Sequence, residues 1–442
     1  MQRVSLAARN VQSHREGRQI VAQSEHKAQK GPRSSMQALL SSIGSRGDVQ
    51  PILALALELK KLGHGARLCV APNFKEWIES YGVECTPIGP DLKKLTGGNP
   101  ATKPVLPPSE EQRQQLAVQT VRAQFQIVAE AARGCDLAVA AGALQIALRS
   151  IAETQKIPYV FAAYCPAVLP SPKYPPPKTG GHYSFSLSQT ENQQLWTKNE
   201  DEFNQRFGAA LNEERAKVGL GPVPSVRAYM FTDRPWLAAD AALAPAFPAA
   251  GMEVVQTGAW MLSDQTALPD DLEDFLATGA PPIYLGFGSM QAHEQTGRVL
   301  LEVARALGLR SILSQGWADL MPGDMGNDCI SIGDVNHEKL FPRMAAIVHH
   351  GGSGTTTAAA RAGRAQVIIP HNYDQFYWAH RVHQLGVGVS GPTRDDLTVD
   401  SLVPALRESL RPEVMARAQA LAGRVEQHGA RIAAEQLVKE FG

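Results

Sequence analysis

Three short stretches of the chain hold residue types suited to a phosphorylated, hydroxyl-rich ligand. Val348-His349-His350-Gly351-Gly352-Ser353-Gly354-Thr355-Thr356 runs from an apolar strand pattern through glycines into a helical pattern. Unblocked amides and the positive end of a helix neutralise a diphosphate without a cation, although a tight turn that merely needs glycine fits the same spacing. Further on, Pro370-His371-Asn372-Tyr373-Asp374-Gln375 closes the next strand pattern and opens another helix. A carboxylate beside an amide suits vicinal sugar hydroxyls, and Asp374 equally suits a helix N-cap. Near the start, Gly44-Ser45-Arg46-Gly47-Asp48 ends a strand pattern and sets Asp48 directly before a helix, as an N-cap or as a general base. His349 sits one residue back from His350 on the strand, faces the other way and reads as packing.

These corners must be carried by alternating strands and helices. From Met36, apolar runs at Gln37 to Ile43, Ala66 to Ala71, Val83 to Ile88, Leu137 to Ala141 and Pro158 to Ala163 read as strands. Helical stripes follow them at Val49 to Leu62, Glu110 to Arg133 and Gln145 to Gln155. A second series has strands at Ile283 to Phe287, Arg310 to Ser314, Cys329 to Ile332, Ala345 to His349 and Ala365 to Ile369, with helices at about 297–307, 355–362 and 375–385. The order predicts an α/β chain of two Rossmann-like domains facing each other across a cleft. The expected division is an extension at 1–35 outside the fold, a first domain at 36–257, a linker at 258–282 and a second domain at 283–442 with a C-terminal helix. Periodicity alone does not say on which lobe that helix, Ala430 to Phe441, packs. The stretches Leu92 to Ser109 and Cys165 to Gly181, the latter rich in proline, read as ligand-side loops.

Bulk properties narrow the partners. At 442 residues the chain is too long for one ordinary core and suits two. Forty-three basic residues balance 43 acidic ones and 44% are hydrophobic, which argues against nucleic acid and against disorder. No apolar run is long enough to span a bilayer, Leu137 to Leu148 coming nearest. Five scattered cysteines without a C-x-x-C pair argue against a disulfide framework or a zinc site and for a reducing cytoplasm. Residues 1–35 are rich in Arg, Gln, Ser and Lys with only Glu16 and Glu25 acidic, which reads as an upstream extension rather than a transit peptide. Oligomeric state is not encoded in any of these features.

Taken together, Gly44 through Pro51, Cys165 through Pro177, Thr232 through Asp240, Val255 through Trp260, Gly286 through Ser289, Ser314 through Asp319, the His350 to Thr356 turn and Asp374-Gln375 resemble a family 1 glycosyltransferase of the GT-B fold. The likeness is narrowest to bacterial enzymes of glycopeptide aglycones and to sterol glucosyltransferases, and it runs from Met36 nearly to the C-terminus. It implies that the second lobe holds a UDP- or TDP-hexose, with His350, Gly352, Ser353, Gly354 and Thr355 on the diphosphate. Ser289 would lie near phosphate or ribose, Trp317 and the backbone at Val335 on the base, and Asp374 with Gln375 on the hexose. The first lobe would bind a small hydroxylated acceptor (glycopeptide, phenolic, sterol or macrolide-like) and lend Ser45 and Arg46 to the phosphates. Many relatives carry a histidine in the opening loop; this loop has none, so the resemblance puts the base on Asp48. A single displacement with inversion and no metal or other cofactor is the implied chemistry.

Two other readings compete. A nicotinamide-dependent oxidoreductase would share the two lobes, but Gly286-Phe287-Gly288-Ser289-Met290-Gln291 lacks the third glycine of the dinucleotide fingerprint. A non-catalytic sugar-nucleotide module would have no reason to keep Asp48, His350, Asp374 and Gln375 together.

Overall fold

Short apolar runs without alternation belong in strands covered on both faces, and they become two all-parallel sheets. A computed structural model describes residues 35–91, 109–178, 183–247, 251–288, 296–316 and 325–442; the extension, Ser289, Trp317 and most of 92–109 lie outside them. The first sheet comprises β1 (Gln37–Ser42), β2 (Gly65–Val70), β3 (Glu84–Pro87), β4 (Leu137–Ala141), β5 (Tyr159–Ala163), β6 (Trp236–Leu237) and β7 (Val255–Gln256), in the order β3-β2-β1-β4-β5-β6-β7. The second comprises β8 (Ile283–Gly286), β9 (Ser311–Ser314), β10 (Cys329–Ile332), β11 (Ile347–His349), β12 (Gln366–Ile368) and β13 (Gly388–Ser390), in the order β10-β9-β8-β11-β12-β13. Both orders reverse direction once, between β1 and β4 and between β8 and β11. Ligands of open parallel sheets bind at the strands' carboxyl ends beside such a reversal. The two Rossmann-like lobes expected from the sequence are therefore present.

Strand alternation divides the first core. Leu39, Ala138, Ala140 and Phe161 point to one face, and Ala38, Leu40, Leu137, Val139 and Val160 to the other. The first face continues into the second lobe through Tyr377, Trp378, Val382 and Leu421, so one apolar cluster bridges both lobes. The opposite face holds Ile52, Leu55 and Leu59 of helix Arg46–Lys61 together with Ala430, Ala433, Ala434 and Leu437 of the terminal helix Gly429–Phe441. The C-terminal helix thus packs on the first lobe rather than on the second, to which the span 283–442 had assigned it. The crossing is close: a Cβ on Gly429 would stand 2.5 Å from the Ala259 carbonyl oxygen.

Other boundaries also move. The helix expected from Val49 begins at Arg46, because Ser45 takes the N-cap place. The linker at 258–282 contains a helix, Asp270–Ala277, whose acidic first turn suits a helix N-terminus and whose Leu272 is buried against the second sheet. The continuous helix expected over Glu110 to Arg133 is interrupted by a π-turn at Gln124–Val128. The short strands β6, β7 and β13 carry too few residues for a periodicity to register.

If the terminal helix holds the first lobe's outer layer, Leu437→Ala, at a fully buried position, should cost about 2–5 kcal/mol in denaturant unfolding. A loss below roughly 1 kcal/mol would show that the helix merely rests there.

Candidate active site

The opening corner is built by a reciprocal cap. Ser45 is the N-cap of helix Arg46–Lys61, and Asp48, three residues in, reaches back so that its Oδ2 accepts the Ser45 backbone N–H at 2.8 Å and the Ser45 hydroxyl at 3.2 Å. Asp48 is thus not the N-cap residue, and capping and catalysis do not exclude each other: one carboxylate oxygen fixes the side chain while the residue lines a cavity. Gly44 has to be glycine for this, since a Cβ there would lie 2.2 Å from Asp48 Oδ2. The Tyr164 hydroxyl, just past β5, donates to the Asp48 carbonyl at 2.9 Å and ties the helix start to the sheet.

A cavity of about 270 Å³ opens at these strand ends, lined by Asp48, Gly142, Leu144, Phe161, Phe231 and other first-lobe residues, and by Tyr373 and Asp374 from the second lobe. The loop after β4 is pinned by Gln124 in the π-turn, which donates to the Leu144 carbonyl at 2.7 Å and accepts the Ala147 N–H at 2.8 Å. Such π-turns often serve a site in this way. Burial raises the Asp48 carboxyl above its ordinary value, opposed by its bonds to Ser45. Asp374 is pushed up to about 7, first by burial and then by the nearby Asp48 charge, against the indole N–H that Trp378 donates to it at 3.0 Å. Asp374 occupies the N-cap position of helix Gln375–Gln384 but makes no cap bond with its side chain.

The glycine corner follows β11 as expected. The His350 ring is hemmed in by glycines: a Cβ on Gly352 would lie 2.6 Å from its Nε2 and one on Gly288 3.3 Å from its Cε1. Burial lowers its pKa to about 3, with His349 and His371 adding, so the imidazole is neutral and serves as a hydrogen-bonding group rather than a charge. Its buried Nδ1 has no hydrogen-bond partner among the described residues. His349 faces away, as expected, and braces the turn: Nδ1 accepts the Gly351 N–H at 3.1 Å and Nε2 bonds Gln366 Oε1 at 2.9 Å. Helix Ser353–Arg361 then begins with Ser353, Gly354 and Thr355 in its first turn.

The two corners meet. Ser353 donates its hydroxyl to the Tyr164 carbonyl at 3.1 Å, and Arg46 pairs across the cleft with Asp334, next to Val335, while lying 4.9 Å above the Trp77 ring. Gln375 turns its side-chain oxygen to the N–H groups of His371 (2.8 Å) and Asn372 (3.0 Å), holding the loop that presents Asp374. Asp48 and Asp374 are therefore brought together on one cavity, and Ser353 is bound to Tyr164, which lines it. Arg46 and Val335 stand at the cleft's edge, and Ser289 and Trp317 fall outside the described residues. Sequence reading missed Tyr164, which no motif or period marks, and gave no role to Tyr373 although it stands in the Pro370 to Gln375 segment. The five cysteines are free and buried, and no described helix is long and apolar enough to cross a membrane.

Residues 38–170 match the family model for the glycosyltransferase family 28 N-terminal domain, and residues 325–431 match that for the C-terminal domain of erythromycin biosynthesis protein CIII-like proteins. The chain is 43% identical over 408 residues to a vancomycin aglycone glucosyltransferase of Amycolatopsis orientalis, covering 91% of this chain and 97% of that one. A dTDP-epi-vancosaminyltransferase of the same organism is 40% identical over 394 residues, 87% and 92% of the two chains. The solved glycosyltransferase of kitacinnamycin shares the fold, with a TM-score of 0.68 at 18% identity over 93% of this chain and 100% of that one.

The Asp374 carboxyl carries a stability signature. Its raised pKa means that the fold favours the neutral form, so its contribution is full below the ordinary value of 3.8 and is lost as pH climbs toward 7. Asp374→Asn, which keeps an oxygen for Trp378, should match the wild-type melting temperature at pH 4 and exceed it by about 2 °C or more at pH 8. A difference independent of pH would mean that the carboxyl is not held neutral.

Proposed function

The chain belongs to the GT-B glycosyltransferases, and from that premise we propose that it moves a hexose from a UDP- or TDP-sugar to a hydroxyl of a glycopeptide aglycone or a related small natural product, with inversion and without a metal. The observation that carries the reading is the single cavity to which the first lobe brings Asp48 and the second Asp374. Relatives named for a vancomycin aglycone and for a dTDP-sugar support the two substrate classes. The reducing cytoplasm expected from the sequence fits the free thiols.

In the proposed step the acceptor hydroxyl oxygen attacks the anomeric carbon from the Asp48 side. Its proton passes to Asp48, and the bond from the anomeric carbon to the diphosphate oxygen breaks with the electron pair leaving on the phosphate. The amides opening helix Ser353–Arg361 and an N–H of neutral His350 meet that charge, so fixed dipoles supply what a cation would. Asp374 would hold the sugar hydroxyls. Gln375 would act mainly through the loop it braces. Burial that raises the Asp48 carboxyl also makes it a stronger base once ionised, which predicts a rate that climbs with pH on the acid side.

Asp48→Asn keeps an acceptor for the Ser45 cap, so it should melt within a few degrees of the wild type while turnover of vancomycin aglycone with UDP- or TDP-glucose falls by about 100-fold or more. Nucleoside diphosphate release, product mass and the anomeric coupling read by NMR check the scheme, with a β-linked product expected from the α-linked donor and no loss of rate in EDTA. Retained configuration, or an Asp48→Asn enzyme of wild-type rate, would reject it.

A further inference from the structure

Among the described residues three non-glycines take a positive φ: Lys156 (56°), Thr232 (65°) and Tyr373 (57°). Lys156 is a helix C-cap in the αL conformation, where a left-handed residue is ordinary, whereas Thr232, also a C-cap, combines its positive φ with an extended ψ of −178° away from the cavity lining. Tyr373 instead precedes the start of helix Gln375–Gln384, where capping asks for nothing of the kind. Its backbone is held from outside, by an N–H donated to the Lys178 carbonyl at 2.9 Å at the end of the proline-rich stretch. A bulky residue in this conformation persists only where the surroundings impose it, and such places gather at ligand sites.

The conformation has an identifiable result. Tyr373 and Asp374 are what the second lobe contributes to the cavity, and Tyr373 is its one ring, set with Phe161 and Phe231 of the first lobe. The residue is still 38% exposed, although its hydroxyl, pushed up by burial and then by Asp374, Cys165 and Asp48, lies at the carboxylate end. The ring thus offers an accessible apolar face directly beside the carboxylate proposed to hold the sugar.

Resting on the transfer reading above, we infer that Tyr373 is a specificity-determining residue: its ring, turned into the cavity by a left-handed backbone, is the surface on which the donor lobe seats the acceptor. The acceptor lies between Phe161, Phe231 and Tyr373, with its hydroxyl toward Asp48. An aromatic or flat apolar body gains from the rings in this arrangement, and a contact supplied by the sugar-binding lobe registers acceptor against donor.

The test compares wild type, Tyr373→Gly and Tyr373→Phe with vancomycin aglycone as acceptor and UDP-glucose or TDP-glucose as donor. Glycine adopts this φ freely, and the relieved strain offsets part of the lost ring packing and the added chain entropy, so Tyr373→Gly should stay folded and melt within several degrees of wild type. Its aglycone KM, and its aglycone Kd by calorimetry, should rise by about tenfold or more, while its Kd for UDP or TDP stays within about twofold of wild type. Tyr373→Phe should restore the wild-type KM. A glycine variant with unchanged aglycone KM and Kd would overturn the inference, as would one that loses nucleotide affinity equally, or a phenylalanine variant as impaired as the glycine one. A wild type that binds the aglycone yet releases no nucleotide would sink the transfer reading and leave calorimetry to decide on Tyr373; one that binds no aglycone would sink both.

Discussion

Two carboxylates must face one apolar cavity, and the rest of the structure is arranged to hold them there. Burial makes ionisation harder for both Asp48 and Asp374 than in water, and the Asp48 charge adds to the cost at Asp374. Nothing in that pair draws the lobes together. The attraction comes from surfaces indifferent to charge: Tyr183 stacks on Phe376 at 5.7 Å, Phe185 on His380 at 4.0 Å, and Tyr174 meets Tyr377 edge-on at 5.3 Å. Aromatic burial of this kind stabilises a contact in rough proportion to the apolar area removed from water. It joins the proline-rich side of the first lobe to the helix that Asp374 opens.

A third acid shows the difference between a carboxylate satisfied within the protein and one left open to a cavity. Asp240 is buried and accepts the N–H groups of Ala242 (2.8 Å), Leu243 (3.2 Å) and Glu426 (2.6 Å), so it knots the first lobe to the segment that leads into the terminal helix. Those bonds satisfy it within the protein. Among the described residues Asp374 takes its side-chain bond from Trp378 alone, and Asp48 binds Ser45 through one oxygen. Each therefore keeps accepting capacity on a cavity wall, which a purely structural acid has no reason to keep.

The sequence shows this arrangement unevenly, and the reasons are physical. A strand such as Leu137–Ala141 is legible to the residue because burial on both faces demands an unbroken apolar run. The glycine corners are legible because close approach leaves no room for a Cβ at Gly44 and Gly352. Asp48 was readable as a cap or a base but not as both, since only coordinates show one carboxylate oxygen spent on Ser45. The terminal helix was legible as a helix and not as a first-lobe helix, because an amphipathic stripe records that a face is buried without recording against what. Tyr373 stood in the Pro370 to Gln375 segment without a role of its own, because a backbone angle that tyrosine rarely adopts leaves no mark in the sequence.

The remaining interlobe ties explain how a cleft so closed could still admit a nucleotide sugar. Ser353 gives its hydroxyl to the Tyr164 carbonyl, and Arg46 gives its guanidinium to Asp334, although both residues lie where the resemblance places phosphate ligands. A neutral hydrogen bond of the first kind contributes only about 0.5–1.5 kcal/mol net. The second is an ion pair whose side chains are 38% and 79% exposed, a class worth roughly 0–1 kcal/mol. In the proposed reading a diphosphate would offer Ser353 a charged partner in place of a neutral carbonyl, and hydrogen bonds to ionised groups are about twice as strong as neutral ones. The exchange at Ser353 would favour the ligand, the exposed Arg46–Asp334 pair would cost little to give up, and the aromatic interface would stay intact. Tyr164, which holds Ser353 by its carbonyl and the Asp48 backbone by its hydroxyl, is the point at which a change at the glycine corner would reach Asp48.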